Sequence, residues 1–225
     1  SYSLVSGALT CGDCGETKTV SGLYKNDGNT YYFINSVAQS GWQYVDGSYY
    51  YFDTDTYAGI NGEVEFSPVS YEFEDGKLVS GVWAKTLYGM RYYYGPTYYN
   101  RGWQTIDGEE YFFDEGICLA DGYHIAFGYS MDTTVYYFDE NGACKKDIVA
   151  PDGFYTDKNG TFYCKDGSAL VGTQLIDGVY YYFSYKCYAM TGTHDGRLYG
   201  DDYKAYTGIL EKNDGLYYYN NGKPT

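Results

Sequence analysis

Along Gly41 to Gly59 the chain reads GWQYVDGSYYYFDTDTYAG: a short apolar-leaning run, an Asp-Gly pair, four aromatics from Tyr49 to Phe52, then a polar tail. Residues i and i+2 of a strand share a face, so Tyr49 and Tyr51 point one way and Tyr50 and Phe52 the other. Asp-Gly between two such runs is a strong hairpin signal, because a type I′ turn needs positive φ at both central residues. The same pattern recurs in GLYKNDGNTYYF from Gly22, GWQTIDGEEYFF from Gly102, GTQLIDGVYYYF from Gly172 and GILEKNDGLYYY from Gly208.

Openers read at Gly7, Gly22, Gly41, Gly59, Gly81, Gly102, Gly122, Gly153, Gly172, Gly192 and Gly208 lie about 20 residues apart, with a longer insertion after Gly122. The span 1–225 therefore reads as a single repeat domain. Its expected fold is all-β, a solenoid of tandem β-hairpins with one hairpin per unit. Each tail should send one apolar residue inward, Leu78 or Leu170. The opening Leu4-Val5-Ser6-Gly7 reads as the tail of a preceding unit. Three units depart from the pattern. Gly59 to Ser80 replaces the turn with a longer polar stretch around Pro68. Gly81 to Arg101 is expected to turn at Tyr88-Gly89. Gly122 to Asp152 carries a longer loop over Gly128 to Thr134.

Composition strengthens the strand reading. There are 34 tyrosines and 30 glycines against 4 prolines in 225 residues, and aromatics favour strands while Gly and Asp favour turns. More rings are present than a narrow array needs for its core, so the surplus should line shallow grooves between hairpins. Rings in such grooves suit pyranose faces or quaternary ammonium groups. The net charge of -15 disfavours nucleic acid. No run of 18 apolar residues suggests membrane insertion. No signal-peptide pattern opens the chain; a mature fragment is expected, so this does not argue for the cytoplasm.

Six cysteines are present, at 11, 14, 118, 144, 164 and 187. Cys11 and Cys14 allow a small disulfide or free thiols, and the other four read as core residues. One CxxC and two histidines do not make a zinc site, and Asp53-Thr54-Asp55 lacks the further ligands of a calcium loop. Neither metal nor cofactor is expected. The acidic pairs Glu63/Glu65 and Glu109/Glu110 read as solvated charge, and no nucleophile motif is present, so no enzymatic activity is expected.

At Gly41 to Gly59, Gly102 to Phe113 and Gly172 to Phe183 the chain resembles the cell-wall-binding and glucan-binding repeats of Gram-positive surface proteins, and a looser likeness covers nearly all of it. The resemblance implies a hairpin solenoid, an extracellular or cell-surface location within a larger multi-domain protein, a monomeric module, and ligands held between hairpins. A choline cage in that family uses tryptophans both after the opening glycine and before the Tyr-Tyr-Phe run. Here the outer slot holds Leu23, Trp42, Trp103, Thr173 and Ile209, and the inner slot Thr30, Tyr49, Glu110, Tyr180 and Leu216. No unit has both tryptophans, so the glucan-binding branch fits better than choline or teichoic-acid anchoring or a protein-interaction spacer. The implied ligand is an α-glucan such as starch or a maltooligosaccharide. The candidate carbohydrate-binding residues are Trp83, Trp103, Arg91, Tyr92, Tyr94, Tyr99, Arg101 and Gln104, with Trp42 and Tyr49 as a second site.

Overall fold

The computed structural model describes residues 2–99, 101–127 and 132–225. It is all-β, a succession of antiparallel hairpins with no helix among the described residues. The chain forms two compact units, Ser1–Asn100 and Arg101–Thr225.

In the first unit, β1 (Tyr2–Val5) pairs with β2 (Ala8–Cys11). Next, β3 (Gly22–Asn26), β4 (Asn29–Ile34) and β5 (Val37–Gln39) form a three-stranded sheet. Then β6 (Gly41–Val45), β7 (Ser48–Phe52), β8 (Gly62–Phe66), β9 (Val69–Glu74) and β10 (Lys77–Leu78) form a five-stranded sheet in the order β6-β7-β10-β9-β8. The unit closes with β11 (Val82–Thr86), β12 (Gly89–Tyr94) and β13 (Thr97–Tyr98).

The second unit repeats these parts. It holds β14 (Gly102–Ile106), β15 (Glu109–Asp114) and β16 (Ile117–Cys118), then the pair β17 (Gly122–Ile125) and β18 (Val135–Phe138). After them come β19 (Gly153–Asp157), β20 (Gly160–Lys165) and β21 (Ser168–Ala169), then the hairpin β22 (Gly172–Ile176) and β23 (Val179–Phe183). The last members are β24 (Gly192–His194), β25 (Arg197–Tyr199), β26 (Gly208–Lys212), β27 (Gly215–Asn220) and β28 (Lys223–Pro224).

Register explains why an opening glycine recurs. Gly22 lies opposite Phe33, Gly41 opposite Phe52, Gly62 opposite Phe73, Gly102 opposite Phe113 and Gly172 opposite Phe183. Each of these rings is almost fully buried. In three of these a small residue completes the rung on the other side: Ala38 beside Phe33, Cys118 beside Phe113 and Ala189 beside Phe183. A wide ring thus sits between two narrow neighbours, which keeps the rung compact at core packing density.

The Asp-Gly turns form as expected. Asp46 and Gly47 have φ of 48° and 80°, and Asp27-Gly28, Asp107-Gly108 and Asp177-Gly178 match them. A second positive-φ pair follows β9, β15 and β20, at Asp75-Gly76, Glu115-Gly116 and Asp166-Gly167. These turns feed a third short strand, so several units are three-stranded rather than single hairpins.

Other expectations need correction. Ser6-Gly7 is the turn of the first hairpin, with Val5 opposite Ala8, so Leu4 and Val5 lie in a strand paired with Ala8 and Leu9. Gly59 does not open a strand; β8 starts at Gly62. Gly59 is there for close approach, since a Cβ on it would lie 2.8 Å from the Asp75 carbonyl oxygen. Its N–H donates to the Thr30 carbonyl at 2.7 Å, tying this tail to the preceding hairpin. The Pro68 region keeps a two-residue turn, Ser67-Pro68 with a cis peptide bond, between Phe66 and Val69. The next hairpin turns at Leu87-Tyr88, because Thr86 pairs with Gly89. The last turns at Asn213-Asp214, because Lys212 pairs with Gly215. In each of those two the glycine is the first residue of the return strand. Leu78 is buried as expected, but Ala169 takes the inward place expected of Leu170, which is only half-buried. The long loop expected over Gly128 to Thr134 lies in part outside the described residues.

All six cysteines are free thiols. Cys118, Cys144, Cys164 and Cys187 are buried, occupying small or aromatic core slots. Cys11 and Cys14 lie near the surface.

Candidate functional site

Strand β11 sets Trp83 opposite Tyr92 of β12, and Tyr99 follows β13 at the position opposite Tyr92, where its N–H donates to the Tyr92 carbonyl at 3.1 Å. The three rings form a row across one small sheet. Trp83 and Tyr92 meet edge-on at 5.0 Å, and Tyr92 and Tyr99 lie parallel at 5.7 Å and 5°. Tyr92 is buried, while Trp83 and Tyr99 are partly exposed. The row sits on bare backbone at Gly81, where a Cβ would come within 2.4 Å of the Tyr92 ring. Burial pushes the Tyr99 hydroxyl above its ordinary pKa, so it remains a neutral donor and acceptor at pH 7.

The other sequence candidates of this unit take different places. Arg91 alternates to the face opposite Tyr92, where its guanidinium lies 4.6 Å from the centre of the Tyr98 ring. Its Nε is buried without a hydrogen-bond partner. Tyr94 packs against Tyr49 at 5.4 Å, and Tyr49 in turn lies beneath Gly95, where a Cβ would meet its ring at 2.7 Å. Trp42 is ringed by Tyr49, Tyr51, Phe66, Tyr71 and Phe73, all with centroids within 6.2 Å. It belongs to the cluster that joins β6–β7 to β8–β9. The Tyr71 hydroxyl donates to the Gly95 carbonyl at 2.6 Å, and burial pushes its pKa up to about 12.

In the second unit Trp103 packs on Phe112, Tyr136 and Phe138 at 5.3, 4.9 and 5.9 Å. Lys146 lies 5.6 Å above its ring and pairs with Glu110. Arg101 pairs with Asp114 at 2.9 Å, and Lys158 reaches the other oxygen of the same carboxylate at 2.9 Å. Burial raises the Asp114 pKa, but the hydrogen bonds from Lys158 and Arg101 outweigh it and hold the carboxyl below its ordinary value.

The third position of a unit has a structural task that the sequence reading did not assign. Gln43 donates from Nε2 to the Ser40 carbonyl at 3.0 Å, and Gln174 to the Val171 carbonyl at 2.7 Å. His194 Nε2 lies 2.9 Å from the Thr191 carbonyl, and His124 Nε2 2.9 Å from that of Ala120. Both histidines thus stand where glutamine stands elsewhere and satisfy a carbonyl of the preceding connection. Gln104 occupies the same position, opposite Tyr111.

The acidic pairs are engaged in register and ion pairs. Glu63 faces Glu72 across β8–β9, and Glu109 and Glu110 bind Lys145 and Lys146. Among the described residues, no group of three or more His, Cys, Asp or Glu side chains is placed to hold a metal ion.

No family model and no curated protein matches this chain. Three solved structures similar to it are CbpJ from Streptococcus pneumoniae TIGR4, an alternansucrase in complex with isomaltononaose, and choline binding protein F from Streptococcus pneumoniae. The first is 19% identical over all of this chain and 94% of the other, with a TM-score of 0.34. The alternansucrase is 22% identical over 94% of this chain but only 19% of its own, at 0.27. Choline binding protein F is 22% identical over 91% of this chain and 68% of its own, at 0.31. TM-scores this low establish no common whole-chain arrangement.

Proposed function

We propose that this chain is a non-catalytic carbohydrate-binding module of an exported, surface-acting protein, and that it takes α-glucans such as starch or maltooligosaccharides. The observation that carries this reading is the Trp83–Tyr92–Tyr99 row. Its partly exposed rings offer flat apolar surface to the C–H face of a pyranose. The Tyr99 hydroxyl and the strand edge beside it supply polar partners. Buried Tyr92 keeps the outer two rings in place and makes no ligand contact of its own.

Trp103 is the second stacking candidate, in the other unit. One face of its ring carries Lys146. Trp42 is enclosed by five rings and acts as scaffold. Arg91 is set apart from the row by strand alternation, and Arg101 is held by Asp114, so neither is assigned a sugar contact. A single row gives modest affinity, and strength on a polymer comes from several modules engaging at once.

Titration calorimetry with maltoheptaose and pull-down on insoluble starch test the reading. Wild type is expected to bind in both, and Trp83→Ala to lose about tenfold or more in affinity. No heat and no pull-down refute it. Retention on a DEAE resin that free choline, rather than salt, releases would point to choline anchoring instead.

A further inference from the structure

Strand β2 ends in a Cys-x-x-Cys turn that the carbohydrate reading does not use. The Gly15 N–H donates to the Cys11 carbonyl at 2.9 Å, which wraps Cys11, Gly12, Asp13 and Cys14 into one closed turn. Gly15 has a φ of 75°, a left-handed conformation that lets the chain reverse there. The returning segment is pinned to β2. The Cys11 N–H donates to the Glu16 carbonyl at 2.8 Å, Thr10 bridges Thr17, and the Lys18 N–H donates to the Leu9 carbonyl at 2.8 Å. Leu9 has no exposed surface, so the base of this turn is anchored in the core cluster with Phe33 and Ala38.

The turn holds its two thiols together. Closed this way, it brings the Cα atoms of its first and fourth residues within about 7 Å, the reach of a disulfide. The Cys11 sulfur accepts hydrogen bonds from the Cys14 thiol and from the backbone N–H groups of Cys14 and Asp13, which hold its pKa down to about 7. Cys11 is partly exposed and Cys14 exposed, whereas Cys118, Cys144, Cys164 and Cys187 are buried. The charged side chains about the turn are Asp13, Glu16 and Lys18, and the Lys18 ammonium donates to the Tyr24 hydroxyl at 2.9 Å.

We propose that Cys11 and Cys14 form a thiol–disulfide exchange site for low-molecular-mass disulfides, with Cys11 as the attacking thiolate and Cys14 as the resolving thiol. The site stands apart from the carbohydrate reading and does not depend on it. In the first step the Cys11 sulfur attacks one sulfur of a disulfide RSSR. A Cys11–SR bond forms, the S–S bond of RSSR breaks, and RS⁻ leaves and takes a proton from water. Cys14 then gives its proton to water, and its thiolate attacks the Cys11 sulfur. The Cys11–Cys14 bond forms, the Cys11–SR bond breaks, and the second RS⁻ leaves and is protonated. The two cysteines are oxidised together and RSSR is reduced to two RSH, so electrons and protons balance. The roles follow from position. Cys11 receives three hydrogen bonds and carries the negative charge, while Cys14 donates one of them and stays protonated. Once Cys11 is in the mixed disulfide, that acceptor is lost and the Cys14 thiol is released to react. The same bonds stabilise the reduced pair, so its disulfide is readily reduced again.

The test treats the whole chain with glutathione disulfide, quenches with acid and maps the products by mass spectrometry. Wild type is expected to lose two hydrogens, to carry the new bond between Cys11 and Cys14, and to regain both thiols with reduced glutathione. Cys14→Ser keeps a hydroxyl donor to Cys11 and should stop at the glutathione mixed disulfide on Cys11, with a rate half-maximal near pH 7. Cys11→Ser should react at Cys14 about threefold or more slowly at pH 7, because the larger thiolate fraction of Cys11 outweighs its lower intrinsic nucleophilicity. If either variant unfolds, wild type with limiting glutathione disulfide decides, its first adduct being expected on Cys11. A wild type that stops with glutathione on both cysteines, or that does not react, overturns the site. Equal rates for the two variants, a first adduct on Cys14, or a midpoint near the ordinary thiol value of about 8.5 overturns Cys11 as the attacker.

Discussion

Phe183 has no exposed surface, and Gly172 and Ala189 flank it in register. It shares a core cluster with Ile176, Tyr181 and Ala189. Phe183→Ala is therefore expected to cost about 3–5 kcal/mol in denaturant unfolding; a loss below 1 kcal/mol would refute this view of the rung. Thr30→Val removes, at constant shape, a buried hydroxyl that has no hydrogen-bond partner among the described residues. It should leave stability unchanged or raise it by about 1 kcal/mol, and a clear drop in the melting temperature would mean that the hydroxyl is bonded in solution. The cysteines divide by environment. Burial pushes the Cys118 thiol up to about 12 and those of Cys144 and Cys187 to about 11. Cys11 is lowered to about 7 by hydrogen bonds with Cys14 and the Asp13 backbone. A thiol reagent at pH 7.5 should label Cys11 and Cys14 quickly and the other four only after denaturation. Fast native labelling of Cys118 would contradict its burial.

At the scale of the hairpin, the glycine before β11 matters more than its missing side chain implies. Gly81→Ala places a methyl 2.4 Å from the Tyr92 ring, so that ring must shift. The expected result is a weaker maltoheptaose affinity in calorimetry with only a modest fall in melting temperature, since the strands themselves are untouched. An unchanged affinity would remove the row from the binding site. The Asp-Gly turns were legible in the sequence because I′ geometry demands residues that tolerate positive φ. Leu87-Tyr88 and Asn213-Asp214 were not placed correctly. In those hairpins the glycine serves the strand after the turn, and sequence alone cannot say on which side of the loop a glycine is spent.

Over the whole molecule, charge and pH act together. A net charge of -15 at pH 7 repels itself. Added salt should raise the melting temperature at pH 7, and a fall would contradict net self-repulsion. Acidification towards the sequence pI of about 4.3 also relieves this repulsion. An opposing effect takes over lower down. The Asp114 and Asp152 carboxyls are held below their ordinary values by lysine and arginine partners. A carboxylate lowered in the fold stabilises it above the ordinary value of about 4 and loses that contribution as the pH falls further. Thermal scans from pH 7 to pH 2.5 should therefore show a sharp loss below about pH 4, and Asp114→Asn should flatten part of that limb. An identical acid limb in the variant would discount the Arg101–Asp114–Lys158 cluster.

The sequence by itself determined the all-β class, the recurring hairpin pattern and the Asp-Gly turns. All of these follow from local rules, namely a period of two along a strand and the φ demands of a turn. It also brought Trp83, Tyr92 and Tyr99 to notice as a dense aromatic stretch. Tertiary structure alone decided which side chains each tryptophan meets. Trp42 and Trp103 share one slot in the sequence pattern, yet five rings surround the first and a lysine covers the second. It also decided that Arg91 turns away from the row, that Gly59 serves backbone contact rather than a strand start, and that the Thr30 hydroxyl is buried without a partner among the described residues. Each of these depends on which hairpin lies against which. That contact is set by packing between residues far apart in the chain, and no repeat unit read alone contains it.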